Sequence, residues 1–378
     1  MRARRLLLVT TVACTLEAFF LPWVARLRRS GWEVELGACG VAASDSLVGV
    51  ATAVHELSWS RNPWDFAGML ESVHKVRQIV SAGDFDIVHV NTPIASLVVR
   101  FALRGRRGSR PQVIYTAHGF HFFVGQSALR NWIFRSAEEI AAGWTDWLVT
   151  MNAEDFSAAR TFNRIDLSRV RLIPGVGLDC ERYRPLDAAS RVAKRSELDL
   201  ESGDRLVTMI AEFTPNKSHD LALATLDRLP ADVVMAFLGE GKTRTRAELT
   251  AAHLGRRARF LGWRADANEI AAASDVVVLV SRREGLPRAV MEALACEVPV
   301  VGTRTRGLVD IVTSECGALV ADRDPDELAR AILGYLDDAG RREEAGSSGR
   351  ARVCSLFGEE PVLGEYEHLY QEVLNASV

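Results

Sequence analysis

Short apolar runs rich in β-branched residues recur at positions 6–9, 34–36, 87–90, 113–116 and 147–151, each followed by a longer stretch with helical apolar spacing. Such runs predict parallel strands covered on both faces by helices, because a strand buried on both sides has no polar face to show. The pattern restarts at 206–210 and continues at 233–238, 258–261, 276–280, 298–301 and 318–320, so two parallel α/β sheets are expected. Between them Leu178-Asp-Cys-Glu-Arg-Tyr-Arg-Pro-Leu-Asp187 is polar and carries a proline. That stretch places a hinge at 184–187, an N-terminal domain at 1–185 and a C-terminal domain at 186–357. The last segment, 358–378, has Val362, Leu363, Tyr366, Leu369, Tyr370 and Val373 at helical spacing. With no strand after it, it is expected to be a helix crossing back toward the first domain.

The basic start and the apolar run after Leu6 imitate a signal peptide, but Glu17 interrupts the run and a strand-then-helix pattern continues through it. The first-strand reading is preferred. The chain has 378 residues, 48% of them hydrophobic, more than one core usually organises. A net charge of -3 argues against a nucleic-acid binder, which needs clustered cations. Residues 1–185 hold 22 Lys/Arg against 17 Asp/Glu, whereas the remainder is acidic; a basic first half suits an anionic acceptor or membrane surface. The six cysteines are scattered, with no Cys-x-x-Cys, so neither a zinc site nor a disulfide framework is expected, and a cytoplasmic location fits.

Parallel sheets bind ligands outside the carboxyl ends of their strands, so chemistry is expected in a cleft between two facing sheets. The run at 275–280 is followed by Ser281-Arg-Arg-Glu-Gly-Leu-Pro-Arg-Ala-Val-Met-Glu292. Gly285 permits close backbone approach to a ligand, and Pro287 suits a first helical turn. A helix starting there would offer free N–H groups and its positive dipole end to a diphosphate. Glu284 and Glu292 straddle that site and could accept hydrogen bonds from sugar hydroxyls.

The stretch Glu284-Gly-Leu-Pro-Arg-Ala-Val-Met-Glu292 resembles the E-x7-E signature of the family 4 retaining glycosyltransferases, which have the GT-B fold of two facing Rossmann-like domains. Ile173-Pro-Gly-Val-Gly-Leu-Asp179, Phe237-Leu-Gly-Glu-Gly241 and Phe260-Leu-Gly-Trp-Arg264 resemble the family's segments before the hinge and at second-domain strand ends. The resemblance implies that Glu284 contacts the donor sugar, that Glu292 holds the nucleotide ribose, and that Gly285, Leu286, Pro287 and Arg288 surround the diphosphate. It also implies that Gly262, Trp263 and Arg264 meet the base, although a packing role for Trp263 is an equal reading. Lys217 keeps the family's donor-phosphate lysine, but Glu212 stands where an arginine is usual, and the first loop, Thr10-Thr-Val-Ala-Cys14, lacks the common glycines. Glu212 could act only indirectly, for instance by orienting Lys217. His118 is the family's first-domain histidine, expected to hold the transferred sugar or stabilise charge at its anomeric centre.

Tyr115-Thr-Ala-His-Gly-Phe-His-Phe-Phe123, His89-Val-Asn-Thr-Pro93 and Ala18-Phe-Phe-Leu-Pro-Trp23 resemble the bacterial capsule and exopolysaccharide branch, whose members extend polyprenyl-diphosphate-linked saccharides. Asn91, Thr92 and His121 are the acceptor-side candidates. Arg100, Arg104, Arg106, Arg107 and Arg110, together with Phe120, Phe122, Phe123, Trp132, Ile133 and Phe134 interleaved with Arg130 and Arg135, suit peripheral contact with an anionic membrane. The expected activity is retaining transfer from a nucleotide sugar, a UDP-hexose or UDP-N-acetylhexosamine, to a glycan or polyprenyl-linked acceptor, without metal or other cofactor. Glycosylation of a small soluble acceptor, a nucleotide-sugar epimerase and a non-catalytic partner subunit are the rival readings. A dinucleotide oxidoreductase is not, since no G-x-G-x-x-G follows the first strand.

Overall fold

The computed structural model describes residues 3–59, 65–105, 111–321 and 323–376. The chain forms two compact units, one of Met1–Val176 with Val362–Val378, the other of Gly177–Pro361. The first holds seven strands: β1 (Arg4–Val12), β2 (Trp32–Cys39), β3 (Ala53–Glu56), β4 (Ile87–Asn91), β5 (Gln112–Ala117), β6 (Trp147–Thr150) and β7 (Val170–Leu172). Their order is β3-β2-β1-β4-β5-β6-β7, and every neighbouring pair is parallel. The second holds β8 (Arg205–Ile210), β9 (Val233–Leu238), β10 (Ala258–Gly262), β11 (Val276–Leu279), β12 (Val300–Thr303) and β13 (Gly317–Val320). Here the order is β10-β9-β8-β11-β12-β13, again all parallel.

Strand order reverses between β1 and β4 in the first unit and between β8 and β11 in the second. Helices leave the sheet in opposite directions at such a point, which opens a crevice outside the carboxyl ends of the two strands. The chain segments that follow β4 and β11 carry Thr92 and Glu284.

β4, β5 and β9 are buried at every residue, which is why their sequences are mainly apolar and show no alternation of polar positions. Leu6, Leu7, Leu8 and Val9 lie in the middle of the first sheet, each at most 1% exposed, in keeping with the first-strand reading. The helix Glu359–Asn375 buries Val362, Leu363, Tyr366, Leu369, Tyr370 and Val373 in the same cluster as Leu6, Leu8, Trp23, Val34 and Leu36. The Tyr366 ring packs, tilted, with its centroid 4.1 Å from that of Trp23 in the helix Leu21–Arg29, and Arg26 of that helix makes a two-point ion pair with Glu367 at 2.9 and 3.1 Å. Burial of six large apolar side chains, at roughly 1.5–3 kcal/mol each, holds this last helix to the first unit.

Two expectations are corrected. The cysteine spacing gave no hint of a disulfide, yet Cys180 and Cys354, 174 residues apart, are joined. The cause is tertiary. Leu178 donates to the Phe357 carbonyl and accepts from Glu359 N–H, both at 2.9 Å, and this parallel bridge brings the two thiols together. The expected basic and aromatic surface is also only partly a surface. Arg100 is 1% exposed, paired with Glu138 at 3.0 Å and lying 4.0 Å over the Tyr115 ring, while Phe120 and Phe122 are core residues. A guanidinium drawn into the interior by a carboxylate and a ring face cannot meet lipid. Arg106, Arg107 and Arg110 lie outside the described residues.

Candidate functional site

In the second unit, the loop after β11 leads into the helix Arg288–Ala295, with Pro287 at its N-cap and no side chain capping it. Val290, Met291, Ala293, Leu294 and Ala295 are buried, so the helix is anchored by one face. Such a terminus favours an anion through unpaired N–H groups and the helix dipole. The loop after β8 is bound to the loop after β11: Arg282 N–H donates to the Asn216 carbonyl, and Asn216 Nδ2 donates to the Arg283 carbonyl, both at 2.8 Å. That brings the next residue, Lys217, to Glu284, with Nζ 2.6 Å from Oε1. The ammonium is thus paired with Glu284 rather than oriented by Glu212. Leu286 packs against the core beneath the loop.

Glu292 accepts from Arg288 Nε at 2.9 Å, one helical turn apart, and the Arg288 guanidinium lies 6.0 Å from the Tyr183 ring. Burial and the neighbouring Glu292 carboxylate push the Tyr183 phenol up from its ordinary pKa. Two residues that sequence reasoning missed support Glu284 from behind. Arg306, 7% exposed, donates from Nε to the Glu284 carbonyl at 2.9 Å. Gly307, at φ 79°, approaches so closely that a Cβ there would lie 2.3 Å from the Gly285 carbonyl oxygen. Neither follows a recognisable motif; the loop after β12 would have to be placed in space before either could be chosen.

Also in the second unit, an open depression of about 490 Å³ is lined by Glu212, Gly239, Glu240, Trp263 and Arg264 among others. A Cβ at Gly239, φ 137°, would lie 2.2 Å from the Ala211 carbonyl, so glycine is what lets the loops after β8 and β9 close on one another. Gly262 accepts from Gly239 N–H at 2.8 Å. Trp263 is 74% exposed, which removes the packing alternative. Arg264 is engaged by Asp266 and Glu197 at 2.6–2.7 Å, so its side chain is structural in this state.

In the first unit, His118 follows β5 and Asn91 ends the adjacent β4; His118 Nε2 lies 2.9 Å from Asn91 Oδ1. Burial holds the imidazole down at about 4, so it is neutral near pH 7. Thr92, at φ 69°, meets the Thr11 backbone N–H at 3.0 Å and the Thr11 hydroxyl at 2.7 Å, closing the end of β4 onto the end of β1. The glycine-poor first loop is therefore held by threonine hydroxyls. His121 is set apart from His118 by its contact with Phe134, ring centroids 5.4 Å apart. Beneath the site, His89 lies between the Tyr370 hydroxyl at 2.6 Å and the Thr116 hydroxyl at 2.7 Å. Among the described residues no helix is long and apolar enough to cross a membrane, and no group of three or more His, Cys, Asp or Glu converges as a metal site would.

Two parallel sheets, each with polar residues at its switch point and a helix there whose N-terminus no side chain caps, define a protein built of two Rossmann-like units. The Anabaena protein HepE, solved in complex with UDP and glucose, has the same fold, with a TM-score of 0.80 at 19% identity over 98% of this chain and 100% of that one. Sucrose-phosphate synthase from Thermosynechococcus elongatus gives a TM-score of 0.83 at 20% identity, covering 99% and 100%. Residues 16–175 match the glycosyl transferase 4-like domain, and residues 204–338 match the glycosyl transferases group 1. The chain belongs to the family 4 glycosyltransferases of the GT-B fold. Its similarity to the glycosyltransferase EpsD of Bacillus subtilis is 28% identity over 98% of this chain and 97% of that protein. A UDP-Gal:alpha-D-GlcNAc-diphosphoundecaprenol alpha-1,3-galactosyltransferase of Escherichia coli is 27% identical over 71% of each chain.

Proposed function

We propose that the protein transfers a hexose or N-acetylhexosamine from a UDP-sugar, with retention at the anomeric carbon, to a hydroxyl of a lipid-linked saccharide or other glycan precursor. The observation that carries the reading is the Lys217–Glu284 pair at 2.6 Å beside the uncapped start of the helix bearing Glu292. A nucleotide sugar carries its diphosphate between sugar and ribose, and the three groups match its parts: Glu284 for the sugar hydroxyls, Lys217 and the helix start for the diphosphate, and Glu292 for the ribose. EpsD, the galactosyltransferase with its diphosphoundecaprenol-linked acceptor and the UDP complex of HepE support donor and acceptor class.

Lys217, Arg288 and the amides at Gly285, Leu286 and Pro287's helix would stabilise the leaving diphosphate, while Glu284 would hold the sugar as positive charge develops at C1. In the first unit, His118 is the sugar-holding candidate. The bond from C1 to the phosphate oxygen breaks, the acceptor oxygen bonds C1 on the same face, and its proton passes to the leaving phosphate oxygen. No metal takes part in this scheme. Trp263 and the depression beside Glu212 would receive the base, and Thr92 and His121 would lie on the acceptor side. Thermal stabilisation by UDP and UDP-sugars tests the donor site, since only native-state binding raises the unfolding midpoint. A uridine-selective rise that Glu292→Ala abolishes is expected; a response to GDP alone, or to no nucleotide, overturns the assignment.

Peripheral membrane contact at the inner face of a membrane belongs to the same proposal, on a smaller surface than the sequence implied. On the helix Ala128–Ala142, Leu129 and Trp132 are 68% and 67% exposed, and Ile133 and Phe134 are also exposed beside Arg130 and Arg135. Trp132→Ser with Phe134→Ser should lower sedimentation with anionic liposomes severalfold; unchanged sedimentation rejects the contact.

A further inference from the structure

His118 is offered above as a sugar-holding group, but an imidazole has two nitrogens and only one of them can accept a hydrogen bond. Which one is set by its partner. Asn91 Oδ1 can only accept, and it lies 2.9 Å from Nε2, so Nε2 carries the proton and Nδ1 carries the free lone pair. Asn91 is 1% exposed and fixed at the last position of β4, which pairs with β5 in register through Asn91 and Thr116, two residues before His118. The partner is therefore held by two adjacent strands of a buried sheet, not by a mobile loop.

The arrangement carries a cost. Asn91 Nδ2 is buried and has no hydrogen-bond partner among the described residues, which leaves its desolvation uncompensated. A side chain kept for packing alone would not bring an orphaned donor into the interior. We propose that Asn91 is a positioning residue for the transfer reaction: it locks His118 as the Nε2–H tautomer and leaves Nδ1 as the acceptor for a hydroxyl of the bound sugar. This rests on the glycosyltransfer reading above and reassigns Asn91 from the acceptor side.

The surroundings keep the ring neutral without help from a charge. Burial is what lowers His118, to about 4. The titratable group coupled to it is His89, itself neutral and held at about 3 by burial, while Phe20 meets the ring edge-on at 6.3 Å. Replacing the amide with a carboxylate in the same place would keep the Nε2–H bond but favour the imidazolium, in which Nδ1 is a donor and cannot accept.

Two readouts test the assignment. In the full chain labelled with 15N-histidine, the His118 shifts should report the Nε2–H tautomer, and Asn91→Ala should give a mixture of both tautomers with the protein still folded. A Nδ1–H tautomer in the native protein, or no change in Asn91→Ala, overturns the proposal whether or not any sugar transfer has been found. In turnover, Asn91→Ala should lower kcat with little change in donor KM. Asn91→Asp should approach native kcat at pH 8 and lose about tenfold per pH unit below the raised imidazole pKa, a limb the native protein lacks above pH ~5. A uniform loss in Asn91→Asp, with a native-shaped pH profile, assigns Asn91 to structure alone.

Discussion

At the scale of single residues, the pairing of Lys217 with Glu284 makes a prediction that a list of ligands would not. Without donor the ammonium is already neutralised, its Nζ 2.6 Å from the carboxylate with the two side chains 23% and 10% exposed. A nucleoside diphosphate must compete with Glu284 for Lys217, whereas a nucleotide sugar gives Glu284 hydroxyls in exchange. Glu284→Gln should therefore bind UDP severalfold tighter in calorimetry while losing about 10²-fold or more in transfer. Weaker UDP binding in this variant would mean that the pair does not compete with phosphate. Glu284, Glu292 and Lys217 were legible because their spacing sits in one short motif and one strand-end loop. Arg306 and Gly307 were not, because what they do is support the backbone of Glu284 and Gly285 from a loop twenty residues away.

At the scale of elements, the apolar runs that were read as strands include nine buried along most of their length and the two partly buried edges of the second sheet, β10 and β13. The two strands absent from the reading are the first sheet's edges: β3 has an exposed residue at each end, and β7 is three residues long. An edge strand pairs on one side and can do without a continuous apolar run, as these two edges of the first sheet do, whereas the second sheet's edges β10 and β13 keep theirs. The C-terminal helix was legible from its apolar spacing, but its polar contacts were not. Tyr370 of this helix closes on His89 Nδ1 at 2.6 Å, 281 residues earlier, within a fully buried pair. Tyr370→Phe keeps the ring and leaves that nitrogen unpartnered, so urea unfolding should show a loss of about 1–3 kcal/mol. No change would mean that the bond contributes nothing net.

At the scale of the whole molecule, three histidines are held neutral, His89 and His219 buried and His118 half-buried: His89 at about 3, and His118 and His219 at about 4, each lowered chiefly by burial. Their folded values lie below the unfolded value near 6.5, so the unfolded chain binds more protons than the native one whenever the pH drops below that value. Stability should be flat above pH ~7 and fall as pH decreases from about 6.5 toward 4, by up to about 1.4 kcal/mol per pH unit for each fully buried ring. Urea midpoints at pH 7.5, 6 and 5 check this; a midpoint independent of pH over that window would contradict the burial of these rings. The disulfide between Cys180 and Cys354 belongs to the same scale, since neither cysteine's neighbours in sequence announce the other.

The sequence by itself determined two parallel α/β sheets and, through the stretch from Glu284 to Glu292, the glycosyltransferase family, because local periodicity and short-range motifs are written in consecutive residues. Tertiary structure alone decided that Lys217 pairs with Glu284 and not with Glu212, that Asn91 serves His118, that Arg100 is interior, and that Cys180 meets Cys354. Each of these depends on which distant strand ends become neighbours, and that is fixed by strand order and packing, not by spacing along the chain.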